Sequence, residues 1–247
     1  MGLENAFAMA QQISCDGLEI MVSSDPDTQS TEVISQLAHK YSMPVAAIHH
    51  PCLLSTAQVW GSDPSKKLAQ SVELAAAVGA STVVTHPTFV WQRDFAKNLL
   101  SQIEELNGSN SVQIALENMY PLRLGSREIS SFLPSWDVQQ MPTQHVVLDT
   151  SHASVARQDI LEQWHTLSSR IRHLHLSDAT GRSVDEHLLP GKGSLPLKEL
   201  LGLVAAHPTP IDVVLEVNTS AQRTPESRLR SLQEAVEYVR AGLDPNA

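Results

Sequence analysis

Residues 171–178 read IRHLHLSD, a short apolar run that ends in polar groups, and this stretch decides the fold class. Because strand side chains alternate between faces, His173 and His175 lie on one face, and only His175 is close to the C-terminal end. We interpret His173 as an inward-facing residue or a partner of the site. A nearly continuous apolar run of this length is typical of a parallel strand that is covered by helices. The stretch therefore predicts such a strand, with functional groups at its end.

Six further runs have the same character. We predict strands at 17–22, 44–50, 81–87, 112–118, 145–151 and 211–218 in addition to 171–178. Helix-period segments between them predict helices near 3–14, 29–41, 64–79, 93–106, 126–133, 157–168, 196–206 and 224–241. Because strands and helices alternate without a break in composition, the pattern predicts one α/β domain over residues 1–247.

The number of elements favours a particular architecture. Seven strands and eight helices are expected of a TIM (β/α)8-type barrel that lacks its first strand. An open doubly wound sheet is the alternative, but no G-x-G-x-x-G turn follows a predicted strand. The incomplete barrel would expose an edge between the strands at 17–22 and 211–218, so a second copy of the chain or another partner is expected to cover it.

The overall composition excludes several classes of protein. The chain has 247 residues, of which 42% are hydrophobic, and its net charge of −10 argues against nucleic acid as a partner. It contains no apolar run long enough for a membrane span and no secretory signal pattern. The two cysteines, Cys15 and Cys52, are interpreted as small buried hydrophobic residues. These features predict a cytoplasmic protein.

Imidazole and carboxylate groups stand at the C-terminal end of every predicted strand. They are Glu19, His49, His50, His86, Glu117, Asp149, His152, His175, Asp178 and Glu216. In a TIM barrel these ends converge on one face, where active sites are built. Neighbouring buried carboxylates repel one another unless a cation or protons compensate. The pattern therefore predicts a divalent metal site.

The motifs that carry these residues are IHHPCLL, VVTHP, ALEN, LDTSH, HLHLSD, VDEHLLPGKG and VLEV, in this order. With them the chain resembles the xylose-isomerase-like TIM-barrel superfamily, which includes sugar isomerases, epimerases and endonuclease IV. The resemblance extends from residue 2 to the last helix. In this superfamily a strand normally precedes the first helix, which supports the interpretation that the first strand is missing.

The resemblance to mononuclear sugar isomerases implies one ion, Mn²⁺, Mg²⁺, Co²⁺ or a similar metal such as Zn²⁺. Its ligands would be Glu117, Asp149, His175 and Glu216. Glu117 and Glu216 would also act as catalytic acid and base, transferring a proton through a metal-bound ene-diolate of a sugar or sugar phosphate. The segment DGLEI, with Glu19 on the first predicted strand, also resembles the corresponding strand of the sugar isomerase subgroup.

The resemblance to endonuclease IV implies up to three Zn²⁺ ions and a phosphodiesterase acting on abasic-site DNA. The larger ligand set would add His49, His86, His152, Asp185 and His187 to the four ligands of the isomerase. The acidic net charge and the scarcity of basic loops favour the isomerase. A non-catalytic barrel that binds a metabolite or a partner is a third alternative.

Four residues outside the ligand set are candidates for substrate binding. They are Glu19, Trp91, Arg182 and Lys192. Trp91 is suited to stack on the face of a sugar, although packing within its loop is the other interpretation. Lys192, between two glycines, is placed to meet a substrate phosphate unless it belongs to a solvated turn.

Overall fold

The structure is a computed structural model that describes residues 2–124 and 127–244. Within this part of the chain there are eight α-helices: α1 (Leu3–Gln12), α2 (Thr31–Tyr41), α3 (Pro64–Val78), α4 (Arg93–Ser109), α5 (Thr150–Ala156), α6 (Ile160–Leu167), α7 (Leu197–Ala205) and α8 (Pro225–Leu243). The strands are β1 (Leu18–Met21), β2 (Val45–His49), β3 (Thr82–Thr85), β4 (Thr88–Phe89), β5 (Gln113–Glu117), β6 (Leu122–Leu124), β7 (Arg127–Ile129), β8 (Phe132–Leu133), β9 (Val146–Asp149), β10 (Ile171–Leu176) and β11 (Asp212–Leu215).

The chain divides into two compact units. The first contains the residues up to Glu117, together with Phe132–Ser135 and Met141–His145, and the second contains the remainder. The expectation of one domain over residues 1–247 stays a prediction.

The first unit contains four parallel strands. β1 pairs with β2, β2 with β3, and β3 with β5. In the chain, α1 precedes β1, α2 connects β1 to β2, α3 connects β2 to β3, and α4 precedes β5. The strand residues Ile48, Val83 and Ile114 are fully buried. Strands buried in this way need apolar side chains on both faces, which explains the continuous apolar runs of the sequence.

The second unit contains three parallel strands, with β10 pairing with both β9 and β11. The predicted strands are thus confirmed, four in one unit and three in the other, and a helix, α1, precedes the first of them. In this unit α7 packs against α8, which begins at a Thr224 cap. No helix in the described ranges has the length and apolar character needed to cross a bilayer.

The predicted helix at 126–133 is wrong where the structure describes it; Ser126, at its start, lies outside the described residues. Strands β7 and β8 lie in this segment, and β7 pairs antiparallel with β6, with Arg123 Nη2 2.7 Å from Glu128 Oε1. Arg123 and Glu128 are opposite each other in this pairing, and their opposite charges favour the hairpin. The total of eight helices is nevertheless reached, because α5 forms directly after β9.

The start of helix α5 holds two site residues of the second unit, Asp149 and His152, close together. Asp149, the last residue of β9, caps this helix by accepting a hydrogen bond of 2.6 Å from the backbone N–H of His152. A cap of this kind satisfies one of the N–H groups that a helix start leaves unpaired. The strand end and the first turn of the helix therefore hold Asp149 and His152 next to each other.

Candidate active site

In the first unit, three strand ends place buried polar groups close together. His49 ends β2, His86 follows β3, and Glu117 ends β5. Glu117 Oε2 lies 3.0 Å from His86 Nε2 and 3.5 Å from His49 Nε2. The ligand atoms of His49, His86 and Cys52 lie within 4.8 Å of one another. We call these four residues the first cluster.

The electrostatics of the first cluster are set by burial and by two acidic groups. Burial by itself would lower the pKa of His86, but the negative charges of Cys52 and Glu117 raise it to about 10. Burial also opposes the shift at His49, where the hydrogen bond to Glu117 raises the pKa overall. At Cys52 burial acts to raise the pKa, and the charge of His86 and a hydrogen bond to it lower the value overall. The charged forms of Cys52 and His86 therefore stabilise each other.

Two predicted substrate-binding residues lie in this unit. Glu19 is the second residue of β1, half-buried, and its charge helps to raise the pKa of His49. Trp91 is 59% exposed and stacks on Phe89 with ring centroids 4.5 Å apart. Both aromatic rings line a cavity of about 280 Å³ that also reaches Cys52 and His86. Trp91 is thus placed at the wall of an open cavity beside the first cluster.

In the second unit, one histidine lies between two carboxylates. His175 Nδ1 is 2.8 Å from Glu216 Oε2 and 3.8 Å from Asp149 Oδ2. His175 and Asp149 are fully buried, whereas the side chain of Glu216 is 34% exposed. His173 is buried beneath His175, with ring centroids 5.2 Å apart and its Nδ1 3.8 Å from Asp212 Oδ2. It is therefore an inward neighbour of His175, consistent with the alternation of the strand.

The same unit gathers a second group around Asp185. His152 Nε2 lies 3.3 Å from Asp185 Oδ2, and His187 Nε2 lies 3.1 Å from Asp185 Oδ1. The Ser151 hydroxyl donates a 2.6 Å hydrogen bond to Asp185 Oδ1 and accepts one from the His187 backbone N–H. We call His152, Asp185 and His187 the Asp185 cluster.

The two histidines control the titration of this cluster. Burial acts to raise the pKa of Asp185, but the hydrogen bonds to His152 and His187 outweigh it and hold the pKa well below its usual range. Burial also opposes the shift at His187, where the hydrogen bond to Asp185 and the charges of Asp149 and Glu216 raise the pKa to about 9. His187, whose pKa is raised, thus acts as a counter-ion of the Asp185 carboxylate.

Arg182 and Lys192 are exposed in the loop between β10 and α7, and the charge of Arg182 helps to lower the pKa of Glu186. Asp178, the last residue of the HLHLSD motif, stabilises this loop. Its carboxylate accepts hydrogen bonds from the backbone N–H groups of Ala179, Gly191, Gly193 and Leu195.

Two neighbours of the site, Cys52 and Asn118, are not among the residues predicted for it. Cys15 and Cys52 are both half-buried, so the interpretation as small buried hydrophobic residues is wrong in its burial, and Cys52 lies beside His86. Its position three residues after His49 is the signal that could have identified it. Asn118 is tied to the end of β9 through its side chain, which donates to Asp149 O and accepts from Asp149 N. No sequence pattern marks that role.

The donor atoms fit a divalent cation. Asp149, His175 and Glu216 provide two carboxylates and one imidazole whose ligand atoms lie within 4.8 Å of one another. Asp149 is buried and Glu216 is half-buried; a metal ion compensates the repulsion between neighbouring carboxylates, and mixed N/O sets of this kind suit Zn²⁺, Mn²⁺ and Co²⁺. Asp149, His152 and His187 form a further group within the same limit.

Fold and site together define a class: a parallel α/β protein with His, Asp and Glu side chains gathered at its strand ends. The chain belongs to the xylose isomerase-like TIM barrel family, whose model matches residues 7–241. Membership in this family confirms the predicted barrel fold.

The relatives cover most of the chain. An uncharacterized protein of Mycobacterium leprae is 38% identical over 97% of this chain and 92% of its own length. Fructoselysine 3-epimerase of Escherichia coli O157:H7 is 25% identical over 81% of this chain and 79% of its own.

Two solved structures illustrate the breadth of the fold. The IolI protein with a zinc atom has a TM-score of 0.72 at 16% identity, covering 99% of this chain and 95% of that one. Endonuclease IV from Thermus thermophilus has a TM-score of 0.62 at 23% identity, covering 98% and 94%. At these identities the likeness shows the fold alone.

Proposed function

We propose that the protein is a divalent-metal-dependent isomerase or epimerase of a sugar or sugar phosphate. The observation that carries this proposal is the contact of His175 with two carboxylates, Asp149 and Glu216, at the ends of adjacent strands. The similarity to a fructoselysine 3-epimerase supports the reaction class, because that relative extends over most of both chains.

Glu117 completes the proposed ligand set. It precedes Asn118, whose side chain hydrogen-bonds Asp149, and it ends a strand of a family in which strand ends face one mouth. The ion proposed here is Mn²⁺, Zn²⁺, Mg²⁺ or Co²⁺. A bound ion of this kind polarises a carbonyl and its adjacent hydroxyl, which acidifies the proton on carbon.

The two glutamates are the proposed acid and base. Glu216 has a partly exposed side chain, whereas Glu117 is buried against two histidines. One carboxylate removes the proton from the carbon next to the carbonyl. The other, or the same one, returns it, and the face to which it returns distinguishes epimerisation from no net change.

We assign substrate binding to the four residues that the sequence predicts for it, Glu19, Trp91, Arg182 and Lys192. Trp91 offers an aromatic face for a sugar ring, and Glu19 accepts hydrogen bonds from hydroxyls. Arg182 and Lys192 are exposed cations, suited to a phosphate at the far end of a longer substrate.

Solvent exchange tests the proposal directly. The metal-loaded protein is incubated in D₂O with a panel of ketoses, aldoses and their phosphates, and deuterium on carbon is followed by NMR. We expect exchange that Glu117→Gln and Glu216→Gln abolish, while Glu73→Gln, on the exposed face of α3, retains it. Exchange that survives in Glu117→Gln and Glu216→Gln would remove both residues from catalysis.

An endonuclease IV-like zinc phosphodiesterase is the second candidate, and the Asp185 cluster is the observation that favours it. That candidate requires about three zinc ions per chain, whereas the isomerase requires one catalytic ion. Metal analysis combined with incision of abasic-site DNA separates the two. Clean incision without deuterium exchange would replace the isomerase, and a protein that binds no metal would favour the non-catalytic barrel.

A further inference from the structure

The cavity beside the first cluster has an aromatic wall that the proposed ligands and the acid–base pair do not account for. The buried ring of Phe132 stacks on Phe89 with centroids 5.2 Å apart. Phe89 in turn stacks on Trp91, with centroids 4.5 Å apart and ring planes inclined by 7°. Trp91 is 59% exposed, so the stack presents a flat aromatic face at the cavity.

Hydrogen bonds hold this wall in place. Phe89 lies opposite Phe132 in the antiparallel pair of β4 and β8. The Phe89 N–H donates to Gln92 Oε1 at 3.1 Å, and the Gln92 N–H donates to the Phe89 backbone oxygen at 2.8 Å. The turn that carries Trp91 is thus closed by two hydrogen bonds. Because the wall is formed in the absence of a ligand, binding costs little ordering of side chains.

A second part of the cavity lining comes from the loop after β2, where Leu54 is 64% exposed. The buried Lys67 fixes this loop, since its Nζ donates to the backbone oxygens of Thr56 at 3.0 Å and Ala57 at 2.8 Å. Leu54 and Trp91 are thus two large apolar side chains that stay exposed in the lining of one cavity. Exposed apolar groups around a concave site indicate an apolar ligand group.

One buried nitrogen in the lining is available to a ligand. His50 lines the cavity and is 3% exposed, and its Nδ1 lies 3.0 Å from the Ser71 hydroxyl. That hydroxyl donates its single proton to the Lys67 backbone oxygen, so Nδ1 donates to Ser71 and Nε2 carries the lone pair. Among the described residues Nε2 has no hydrogen-bond partner, and it is therefore an acceptor for a donor group of the ligand.

We infer that this cavity binds an aromatic ring that carries a hydrogen-bond donor, and that the ring is a substituent of the substrate sugar. The cavity volume of about 280 Å³ is at the lower end for small-molecule sites and suits one ring. His86 also lines the cavity, and its Nε2 lies 3.0 Å from Glu117 Oε2. A sugar that reacts at Glu117 is therefore placed to extend a substituent past His86 into the cavity.

The link to the sugar rests on the proposed function and names its substrate class. Because the proposed reaction needs a free carbonyl, the ring is attached at a position other than the carbonyl carbon. A ketose with an aryl-amino group on the neighbouring carbon satisfies this requirement. The ring then stacks on Trp91, while the sugar stays beside Glu117.

Fragment binding tests the cavity without a sugar. Saturation-transfer NMR with the full chain is recorded for phenol and for anisole, in which a methyl ether replaces the hydroxyl group. We expect both rings to bind, and phenol to bind roughly 2- to 10-fold tighter because only phenol donates a hydrogen bond to His50. Ala57→Trp, which fills the cavity from an exposed position of its lining, should abolish both signals. Ala206→Trp, at an exposed position directly after α7, is the matched control and should retain them.

Wild-type signals that are absent, or that persist unchanged in Ala57→Trp, would overturn the inference, and equal affinities for phenol and anisole would overturn its hydrogen-bonding part. If Ala57→Trp fails to fold, Trp91→Ala decides, because this exposed side chain can be removed without loss of core packing. We expect Trp91→Ala to weaken phenol binding roughly 2- to 10-fold.

Calorimetry with two ketose derivatives tests the link to the substrate. The compounds are 1-deoxy-1-(phenylamino)-D-fructose and 1-deoxy-1-(methylamino)-D-fructose, which share the sugar, the carbonyl and the amine and differ in the ring. We expect the phenylamino compound to bind the metal-loaded chain roughly 10-fold tighter, and the preference to disappear in Ala57→Trp. Equal dissociation constants in the wild type would refute the aromatic substituent.

Deuterium exchange on the same compounds separates this inference from the proposed function. Phenol binding that Ala57→Trp abolishes, without exchange on any sugar, refutes the isomerase and leaves the aromatic site. Exchange on sugars without a preference for the phenylamino compound refutes the aromatic substituent and leaves the isomerase.

Discussion

Asp178 and Gly193 lie so close together that only glycine fits at position 193. The Gly193 N–H donates a 2.9 Å hydrogen bond to Asp178 Oδ2, and a Cβ at Gly193 would stand 2.3 Å from Asp178 Oδ1. The carboxylate accepts three further backbone N–H groups of the same loop. Asp178 thus acts as the centre of a loop that also carries Asp185 and His187.

Gly193→Ala is therefore expected to destabilise the protein by about 1–3 kcal/mol, since the methyl group forces the Asp178 carboxylate away from its donors. Gly202→Ala is the matched control, because that glycine lies in the exposed face of α7 with open space around its Cβ position. It is expected to be neutral or to stabilise by up to about 1 kcal/mol. Urea denaturation of both variants checks the difference, and equal stabilities would contradict the close contact.

Metal addition is expected to stabilise the chelated protein. Binding to the folded state alone contributes about 2.7 kcal/mol when the ion is present at 100 times its dissociation constant. Asp149→Asn should lose most of this gain, because Asp149 is a buried ligand of the proposed ion. Asp94→Asn, in the exposed first turn of α4, should keep it. Thermal unfolding with and without Mn²⁺ measures the effect, and an equal gain in all three proteins would exclude Asp149 as a ligand.

His50 is expected to make the protein sensitive to acid. Burial, together with the charges of His49, His86 and Lys67, lowers its pKa to about 3. The unfolded chain takes up a proton near pH 6.5 and the folded chain does not, so stability present above pH 6.5 is lost as the pH falls toward 3. The loss from His50 is about 1.4 kcal/mol per pH unit, or about 2 kcal/mol between pH 6.5 and 5.

This loss is measured on the chelated protein by urea denaturation at the two pH values. His50→Gln should reduce the difference between them, whereas His39→Gln, at an exposed position of α2, should not. An unchanged pH dependence in His50→Gln would mean that His50 is protonated in the folded state.

Trp91 is expected to affect substrate binding and not stability. Its ring is exposed and stacks on Phe89 at the cavity wall, so Trp91→Ala should leave the thermal midpoint almost unchanged. Loss of a stacking surface worth about 0.5–1.5 kcal/mol should raise KM roughly 2- to 10-fold with little change in kcat. Trp91→Phe should retain most of the affinity. A lower kcat at unchanged KM would place Trp91 outside the substrate site.

The strands and most of the helices were predictable because the burial of an element produces a recognisable pattern of apolar residues in its own sequence. A strand such as β3, buried throughout, favours β-branched residues, and that preference is visible in TVVT without knowledge of its neighbours. The helix predicted at 126–133 is wrong because pairing with β6, which no local period marks, holds Arg127–Ile129 as a strand. Helix α5 was missed because a seven-residue helix that starts on a strand's last residue is too short for its periodicity to appear.

The sequence by itself determined which chemical groups stand at the strand ends, since strand period and motif order assign His49, His86, Glu117, Asp149 and His175 without reference to contacts. Only the tertiary structure decided how they group within each unit. It placed Cys52 against His86, and it set His187 at a positive φ beside Asp185. Distances between residues far apart in the chain depend on loop conformation and packing, and no local pattern encodes them.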